Sequence, residues 1–367
     1  MYRPSLNHPA IRFPLLLCGF FLVCYIACYA WVIGRAAILP AVPPVMMEHD
    51  STRIPIVYHP LYNLSLFGIE QIHPFDTYKY QKAYEGLLKA GRIEADNIYT
   101  PSYPEDIQLL SVHAPEQLEQ LETANAIAHM AEIMPLAMLP ASVLQRAVLN
   151  PQKLATGGTI LAAELALQAG WAINLSGGYH HAAPHRAWGF CAYNDIAIAW
   201  HHIRQSNSNI RRVMIIDLDA HQGDGTGYAL GDDPEVYILD AYNPYVFPDD
   251  PLGVAGVDMP IRIEPGIRTA AYLQTIEDAL LQAFDAFTPD MVFYIAGTDI
   301  LDGDPLGGLR ISEDGVIARD ALVVRTVRER DIPLVITLAG GYQPETGPLI
   351  ARSIDTFWPY LKTMSDS

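Results

Sequence analysis

The feature that most constrains the fold of this chain is a series of short apolar runs separated by longer helix-like stretches. The runs occupy positions 171–175, 213–216, 236–239, 291–296 and 334–338. Parallel strands that are covered by helices on both faces of a sheet have this near-continuous apolar character. The alternation therefore predicts an α/β fold with a largely parallel central sheet.

The helix-like segments extend this pattern over most of the chain. A first strand is predicted within 54–58, and helices are predicted near 73–88, 156–168, 194–204, 271–287, 315–330 and 346–361. The chain has 367 residues, of which 50% are hydrophobic, so it can bury a large core. We predict one domain over 54–361, with a short tail at 362–367.

Reactive side chains follow directly after the run at 213–216. Asp217, Asp219 and His221 stand at alternate positions, followed by Gly223 and Asp224. Ligands of open α/β sheets bind beyond the carboxyl ends of the strands, which is where these residues fall. Side chains two residues apart on extended backbone share a face, so Asp219 and His221 can bind one ion, and zinc commonly takes this donor pair. The simpler alternative is a strand end that caps the next helix.

Three further runs end in polar, glycine-rich loops. His180 and His181 follow the run at 171–175, Asp299 follows 291–296, and Tyr342 follows 334–338. Each loop alone is explained by turn chemistry, a packed ring or a helix cap. Four such loops at one edge of one sheet are difficult to explain as caps, so together they predict a catalytic site.

These loops resemble the zinc-dependent histone deacetylase family, in the order that the family has them, over about 54–358. The motifs that carry the resemblance are Gly178-Tyr179-His180-His181-Ala182, Gly189-Phe190-Cys191, Asp217-x-Asp219-x-His221-x-Gly223-Asp224-Gly225, Gly297-x-Asp299, Asp304-Pro305-Leu306-Gly307 and Gly340-Gly341-Tyr342. They are most similar to the class IV branch. The resemblance implies a three-layer arginase/deacetylase-like fold, with helices on both faces of the sheet.

The resemblance also implies the metal ligands. Asp219, His221 and Asp299 would bind one zinc ion and leave an open coordination position, which is the arrangement of catalytic zinc sites. Zinc can lower the pKa of water to near ~7 and polarise an amide carbonyl. A monovalent cation such as K⁺ is implied near the backbone of 217–221.

The other catalytic roles follow from the same resemblance. His181 matches the general base, and His180 matches its electrostatic or acid partner. Asp224 and Asp217 match the carboxylates that orient His181 and His180 respectively. Tyr342 would donate its hydroxyl to the oxyanion that forms from the substrate carbonyl.

The substrate tunnel shows one departure from the family. Gly189 and Phe190 match the wall of the narrow tunnel that takes an acylated lysine side chain. Many members also carry an aspartate on a rim loop that binds the substrate backbone, whereas the corresponding segment here, 134–140, contains no acid. The apolar rim favours a longer acyl chain or a non-peptide amine.

The expected activity is removal of acetyl or longer acyl groups from lysine side chains. An alternative is the same chemistry on acetylated polyamines or other small-molecule amides. A non-catalytic zinc-holding module that binds acyl-lysine is a more remote alternative, because every ligand, both histidines and Tyr342 are present. An arginase-like ureohydrolase needs two manganese ions and an Asp-x-His-x-Asp motif, and Gly223 stands where the second acid would be.

The N-terminal region is predicted to be a membrane anchor. Residues 13–33 contain no charged side chain, and about 20 apolar residues suffice to span a bilayer as a helix. Residues 1–12 would form a tail, and the proline-containing residues 34–53 a linker. A signal peptide is disfavoured because no convincing cleavage site follows. The alternative is translation from Met46 or Met47, which gives a cytoplasmic enzyme.

The net charge bears on the possible partners, and the cysteine content bears on disulfide bonds. The net charge is −18, which argues against direct nucleic acid binding because phosphate contacts need a basic surface. An acidic surface could attract basic substrates, and it is equally typical of a soluble domain. Cys191 is the single cysteine outside the apolar N-terminal run, so no disulfide can form within the domain. The oligomeric state is not predicted.

Overall fold

The computed structural model describes residues 53–64 and 76–361, and its centre is a seven-stranded parallel sheet. The strands are β1 (Ile56–Val57), β2 (Trp171–Asn174), β3 (Val213–Asp217), β4 (Val236–Tyr242), β5 (Met259–Arg262), β6 (Met291–Ile295) and β7 (Leu334–Thr337). Their order across the sheet is β1-β2-β7-β6-β3-β4-β5. The prediction of a largely parallel central sheet is confirmed.

The helices of the described residues connect and cover the strands. The α-helices are α1 (Lys79–Lys89), α2 (Asp106–Leu109), α3 (Pro115–Gln120), α4 (Ala124–Met130), α5 (Ala141–Leu144), α6 (Asn150–Ala169), α7 (Asp195–Ser206), α8 (Asp224–Leu230), α9 (Pro251–Val254), α10 (Thr269–Ala286), α11 (Glu313–Arg328) and α12 (Thr346–Leu361). Short 3₁₀ helices form at Pro60–Tyr62 and Met134–Met138, and a π-helical turn at Gln145–Leu149 joins α5 to α6.

Two apolar cores lie on opposite faces of the sheet. Successive side chains of a strand point to opposite faces, so Met214 and Ile216 of β3 join one core while Val213 and Ile215 join the other. The first core contains the buried faces of α1, α10, α11 and α12, and the second contains those of α4, α6 and α7. The predicted placement of helices on both faces is confirmed.

The structure corrects several predicted element bounds. Strand β5 was not predicted, because this edge strand is only four residues long, is half exposed and contains Pro260. Helix α6 begins at Asn150 rather than 156, and β4 continues to Tyr242 rather than ending at 239. The apolar segment 134–140, predicted as a loop, contains the 3₁₀ helix Met134–Met138.

The predicted anchor at 13–33, both tails and all but residue 53 of the linker lie outside the described residues. Within 53–64 and 76–361, no helix has both the length and the apolar character needed to cross a bilayer. The membrane anchor therefore stays a prediction from the sequence.

Candidate active site

The carboxyl ends of four adjacent strands position the site. In the order β2-β7-β6-β3, each strand leads directly into one of the four predicted loops. Because the strands are parallel, all four loops emerge at the same edge of the sheet. The structure therefore brings the sequence-predicted site residues together. These are His180, His181, Gly189, Phe190, Asp217, Asp219, His221, Asp224, Asp299 and Tyr342.

Asp219, His221 and Asp299 converge on one point. One ligand atom from each lies within 4.8 Å of the others, and all three side chains are buried. The His221 Nδ1 atom is 3.0 Å from Asp219 Oδ1 and 2.9 Å from Asp299 Oδ2. Backbone amides orient the acids, since Gly340 N donates to Asp219 Oδ2 and Ala220 N donates to Asp299 Oδ1. Two carboxylates and one imidazole in this arrangement can bind a single zinc ion.

Charge coupling within this trio is strong. Burial opposes a charged imidazole, but Asp219 and Asp299 outweigh it and raise the pKa of His221 to about 10. Burial and the neighbouring Asp219 raise the pKa of Asp299 to about 7. A cation shared between the carboxylates is thus favoured at this point, which is the property expected of a metal site.

Gly223 leaves no room for a further ligand. A Cβ atom at this position would lie 2.6 Å from Asp217 Oδ2, so an aspartate cannot be accommodated without displacing buried groups. Among the described residues, Asp219, His221 and Asp299 form the one group of three side chains suited to hold a metal. The site is therefore built for one ion rather than two.

His180 and His181 each face a different carboxylate. His180 Nδ1 is 2.8 Å from Asp217 Oδ2, and His181 Nδ1 is 2.7 Å from Asp224 Oδ1. Since a carboxylate accepts, both Nδ1 atoms carry a proton and both Nε2 atoms are left for the pocket. The two ring centroids are 4.1 Å apart, so the protonation of one ring affects the other.

The two histidines have opposite pKa shifts. Burial would lower the pKa of His180, but Asp217 and Asp219 outweigh it and raise it to about 10. Burial and the adjacent His180 lower the pKa of His181 to about 4, against the influence of Asp224. Near neutral pH, His180 is therefore the charged partner and His181 the neutral one, which suits His181 to accept a proton.

Asp224 has two further partners that the sequence did not reveal. Arg186 Nη2 and Trp188 Nε1 donate to Asp224 Oδ2 at 2.9 and 3.0 Å, and Arg186 also reaches Asp250 Oδ2 at 3.2 Å. The guanidinium carbon lies 3.4 Å from the centroid of the Trp188 ring. Both residues precede the Gly189-Phe190 motif, but nothing in their spacing pointed to Asp224.

Tyr342, in the loop after β7, is tied to the loop after β6 and lies next to the candidate metal ligands. Its backbone N donates to Asp304 Oδ2 at 2.9 Å, and its ring packs edge-on against His221 with centroids 5.9 Å apart. Burial, with Asp219 and Asp299 nearby, raises the pKa of Tyr342 well above its usual value. The hydroxyl therefore stays protonated and can donate a hydrogen bond.

Lys79 supports the same loop and was also missed. It is completely buried at the start of α1, and its Nζ donates to the carbonyl oxygen of Ala339. Burial lowers the pKa of Lys79 to about 8, although Asp299 and Asp219 act in the other direction. A lysine at a helix start ordinarily indicates a surface position, so sequence offered no signal for this contact.

Phe190 lines the pocket, and a second aromatic ring that sequence reasoning missed, Phe247, packs close to it. Phe247 packs edge-on against His181 with centroids 5.0 Å apart and also contacts Trp188. Gly189 lies against both His181 and Phe247. Its φ of 55° is left-handed, and a Cβ atom there would lie 2.6 Å from His181 and 2.8 Å from Phe247.

The pocket continues past the histidines into an apolar chamber. The volume of the whole pocket is about 90 Å³. The chamber residues that lie beyond the predicted site are Tyr62, Leu64, Ala131, Ile133, Leu136 and Val148. Leu136 points inward from the 3₁₀ helix Met134–Met138, whereas Met134 and Met138 are 54% and 64% exposed on its outer side.

An acid, Glu132, lies near this rim, two residues before the segment 134–140. Glu132 follows α4 with a left-handed φ of 53°. Burial raises the pKa of Glu132, and the charges of His221 and His129 act against that rise. A non-glycine residue rarely adopts this backbone conformation, so the turn after α4 is a distinct feature of the rim.

This chain is similar to known proteins. A family model described as the histone deacetylase domain matches residues 73–357. Histone deacetylase 2 of Arabidopsis thaliana is 44% identical over 304 residues, which cover 83% of this chain and 78% of that protein. Acetoin utilization protein AcuC of Bacillus subtilis (strain 168) is 30% identical over 264 residues, covering 68% of this chain and 67% of that protein.

A solved structure has the same fold. The crystal structure of the HDA15 HD domain matches with a TM-score of 0.69 and 20% sequence identity, covering 84% of this chain and 90% of that one. At this identity the likeness shows the architecture alone. Together with the family model, which spans most of the chain, and the 44% identical relative, it leads to one conclusion. This chain belongs to the histone deacetylase family.

Proposed function

We propose that this chain is a zinc-dependent hydrolase that removes acyl groups from lysine side chains. The observation that supports this most is the convergence of Asp219, His221 and Asp299 within 4.8 Å, beside two buried histidine–carboxylate pairs. A metal site alone could be structural, and a histidine–carboxylate pair alone could serve packing. Amide hydrolysis needs both in one pocket. The closer similarity to the class IV branch stays a prediction.

The donor set suits a zinc ion, which would supply Lewis acidity for the acyl carbonyl and lower the pKa of water toward ~7. The side chains of Asp219, His221 and Asp299 would hold it. The amides of Gly340 and Ala220 fix the two carboxylates before any ion binds. Such outer contacts orient metal ligands in advance.

The histidine pair would move the proton. His181, neutral and with its Nδ1 proton on Asp224, presents Nε2 to accept a proton from the attacking water. His180, held charged by Asp217 and Asp219, keeps a positive charge beside the developing negative charge. The proton taken from water can then pass to the departing lysine amine. Transfer of this kind typically contributes ~10²–10⁴-fold to the rate.

Tyr342 would stabilise the oxyanion that forms from the acyl carbonyl. Its hydroxyl stays protonated because burial opposes the phenolate form. The tie from its backbone N to Asp304 holds the loop in place, so the donor needs little rearrangement during the reaction.

Two substitutions test the proposed roles. Tyr342→Phe should lower kcat on an acetyl-lysine peptide by ~10²–10³-fold, the usual cost of losing one oxyanion donor. Zinc content, measured by elemental analysis, should be unchanged. Asp219→Ala should lose the zinc, because one of three ligands is removed. Full activity in Tyr342→Phe, or full zinc occupancy in Asp219→Ala, would contradict the assignment.

The apolar chamber supports a preference for acyl groups longer than acetyl. Leu136 and Val148 line the same pocket as His180 and His181, where they could contact the acyl end of a substrate. Leu136→Phe should narrow the chamber and lower kcat/KM for octanoyl-lysine peptides more than for acetyl-lysine peptides. Met138→Phe, on the exposed side of the same 3₁₀ helix, is the matched control. A strict acetyl preference in the unmodified chain would contradict this proposal.

Small acylated amines are the second candidate substrates. The segment 134–140 contains no acid, and burial disfavours the charged form of Glu132 just before it, which favours a substrate without a peptide backbone. An N-acetylated polyamine should be included in the same panel. A kcat/KM for it that exceeds every acyl-lysine peptide would favour this reading over protein deacylation.

A monovalent cation near 217–221 also stays a proposal. Asp240 is buried beside Asp217, and its Oδ2 accepts from Gly223 N at 2.9 Å. Among the described residues no donor reaches its Oδ1. An unpartnered, buried carboxylate oxygen of this kind suits a cation such as K⁺.

A further inference from the structure

A completely buried arginine, Arg319, lies next to the two loops that carry the candidate metal ligands Asp219 and Asp299. Arg319 on α11 has no exposed surface, and its Nε and Nη2 donate to Asp320 Oδ1 at 2.9 and 2.7 Å. Burying a charge is costly unless it is paired and hydrogen-bonded. Asp320 balances the buried charge through Nε and Nη2, which leaves the third nitrogen, Nη1, for other partners.

The remaining nitrogen of Arg319 links the two metal-ligand loops. Arg319 Nη1 donates to the carbonyl oxygens of Leu218 and Gly297, at 3.0 and 2.6 Å. Leu218 directly precedes Asp219 after β3, and Gly297 lies two residues before Asp299 after β6. These loops leave neighbouring strands, and this side chain joins them below the ligands.

The loops after β3 and β6 are in such close contact that a small movement of one backbone would displace a candidate metal ligand on the other. A Cβ atom on Gly297 would lie 2.3 Å from Asp219 Oδ2, so the backbone of one loop is in contact with the ligand of the other. Gly297 therefore contacts Asp219 and also accepts the hydrogen bond from Arg319 through its carbonyl oxygen. The separation of Asp219 and Asp299 therefore depends on where Arg319 holds this backbone.

Arg319 is itself fixed from two further elements. Asp320 accepts hydrogen bonds from Tyr294 of β6 and from Ser353 of α12. The planar guanidinium can serve Asp320 and both carbonyls at once, which a lysine ammonium cannot do with the same geometry.

We propose that Arg319 is a positioning residue that sets the spacing of the Asp219 and Asp299 loops and thereby the affinity of the site for zinc. This rests on the proposed zinc site. It adds a residue that contacts neither the metal nor the substrate.

Zinc affinity of the full chain provides the test. Arg319→Lys should raise the zinc Kd, measured by competition with a chromophoric chelator, by ~10–100-fold, the usual effect of losing a contact that orients metal ligands. The absorption spectrum of the Co²⁺-substituted protein should change as well. Arg328→Lys is the matched control, because Arg328 is a second buried arginine of α11 and donates to the carbonyl oxygens of Gly170 and Ile332, which precede β2 and β7. Its zinc Kd should stay within about twofold of the parent value, and its Co²⁺ spectrum should be unchanged.

A second variant covers the case in which Arg319→Lys does not fold. Replacing both residues, Arg319→Met with Asp320→Leu, removes the buried charge pair, and such exchanges are often neutral for stability. It should show the same loss of zinc affinity. Wild-type zinc Kd and Co²⁺ spectrum in the folded Arg319 variants would overturn the inference while leaving the zinc site intact. Absence of zinc binding by the unmodified chain would overturn the zinc site and this inference together.

Discussion

His180 and His181 show how strongly position decides the chemistry of a residue. They are adjacent in sequence, yet the pKa of His180 is raised to about 10 and that of His181 is lowered to about 4. Burial lowers the pKa of both rings, but Asp217 and Asp219 outweigh it at His180, whereas at His181 burial and the charge of His180 together outweigh Asp224. The sequence predicted the pairings through a resemblance, but the direction of each shift needed the structure.

Another buried histidine, His113, leads to a prediction about acid stability. His113 Nδ1 donates to Ala183 O at 3.1 Å, and its Nε2 accepts from Asn194 N at 2.9 Å. Burial lowers the pKa of His113 to about 4. Between pH 6.5 and about 4 the unfolded chain binds a proton that the folded chain does not, so the free energy of unfolding falls as the pH falls.

Between pH 6.5 and about 4, the lowered pKa of His113 should reduce the free energy of unfolding by about 3 kcal/mol in all. His113→Gln keeps a donor and an acceptor but does not titrate. Urea unfolding at pH 7 and pH 4.5 should therefore show a smaller acid-induced loss in the variant than in the unmodified chain. An equal loss in both proteins would show that the protonation of His113 is not linked to unfolding.

Helix α6 packs closely against neighbouring parts of the chain, and its sequence did not predict this packing. Two adjacent glycines, Gly157 and Gly158, normally weaken a helix. Here a Cβ atom on Gly157 would lie 1.8 Å from Ser102 O, and one on Gly158 would lie 2.0 Å from the Tyr62 hydroxyl. The two glycines therefore let helix α6 lie directly against Ser102 and Tyr62.

Gly158→Ala should destabilise the protein despite the better helix propensity of alanine. The added methyl displaces Tyr62 from its hydrogen bond to Asn174 Oδ1, and overpacking of this kind costs ~1–3 kcal/mol. Gln168→Ala, at an exposed position of the same helix, should change the free energy of unfolding by less than ~0.5 kcal/mol. Chemical denaturation of both variants measures this, and a Gly158→Ala protein more stable than the parent would contradict it.

For the whole molecule, the open question with the largest consequence is the predicted anchor. We expect the full chain to sediment with membranes and to need detergent for release, because residues 13–33 are apolar without a charge. A chain that starts at Met46 lacks this segment and should stay in the supernatant. Mass spectrometry of the mature N-terminus is the control for cleavage. Recovery of the intact full chain in the supernatant would refute the anchor.

The strand runs, the parallel sheet and the four reactive loops could be read from the sequence. Each depends on local composition: apolar runs form buried strands, and glycine-rich loops follow them. For the same reason the short edge strand β5, with Pro260 and only partial burial, was missed. The metal trio was predicted because Asp219 and His221 lie two residues apart and the family resemblance supplied Asp299.

The sequence by itself determined the fold class, the edge of the sheet that carries the chemistry and the identity of the candidate ligands. Only the tertiary structure decided which distant residues support them. Arg319 reaches Leu218, Lys79 reaches Ala339, and Arg186 reaches Asp224, in each case across elements far apart in the chain. Local patterns record which residues can form a strand or a loop. Contacts between elements depend on how the elements pack in three dimensions, which no local pattern records.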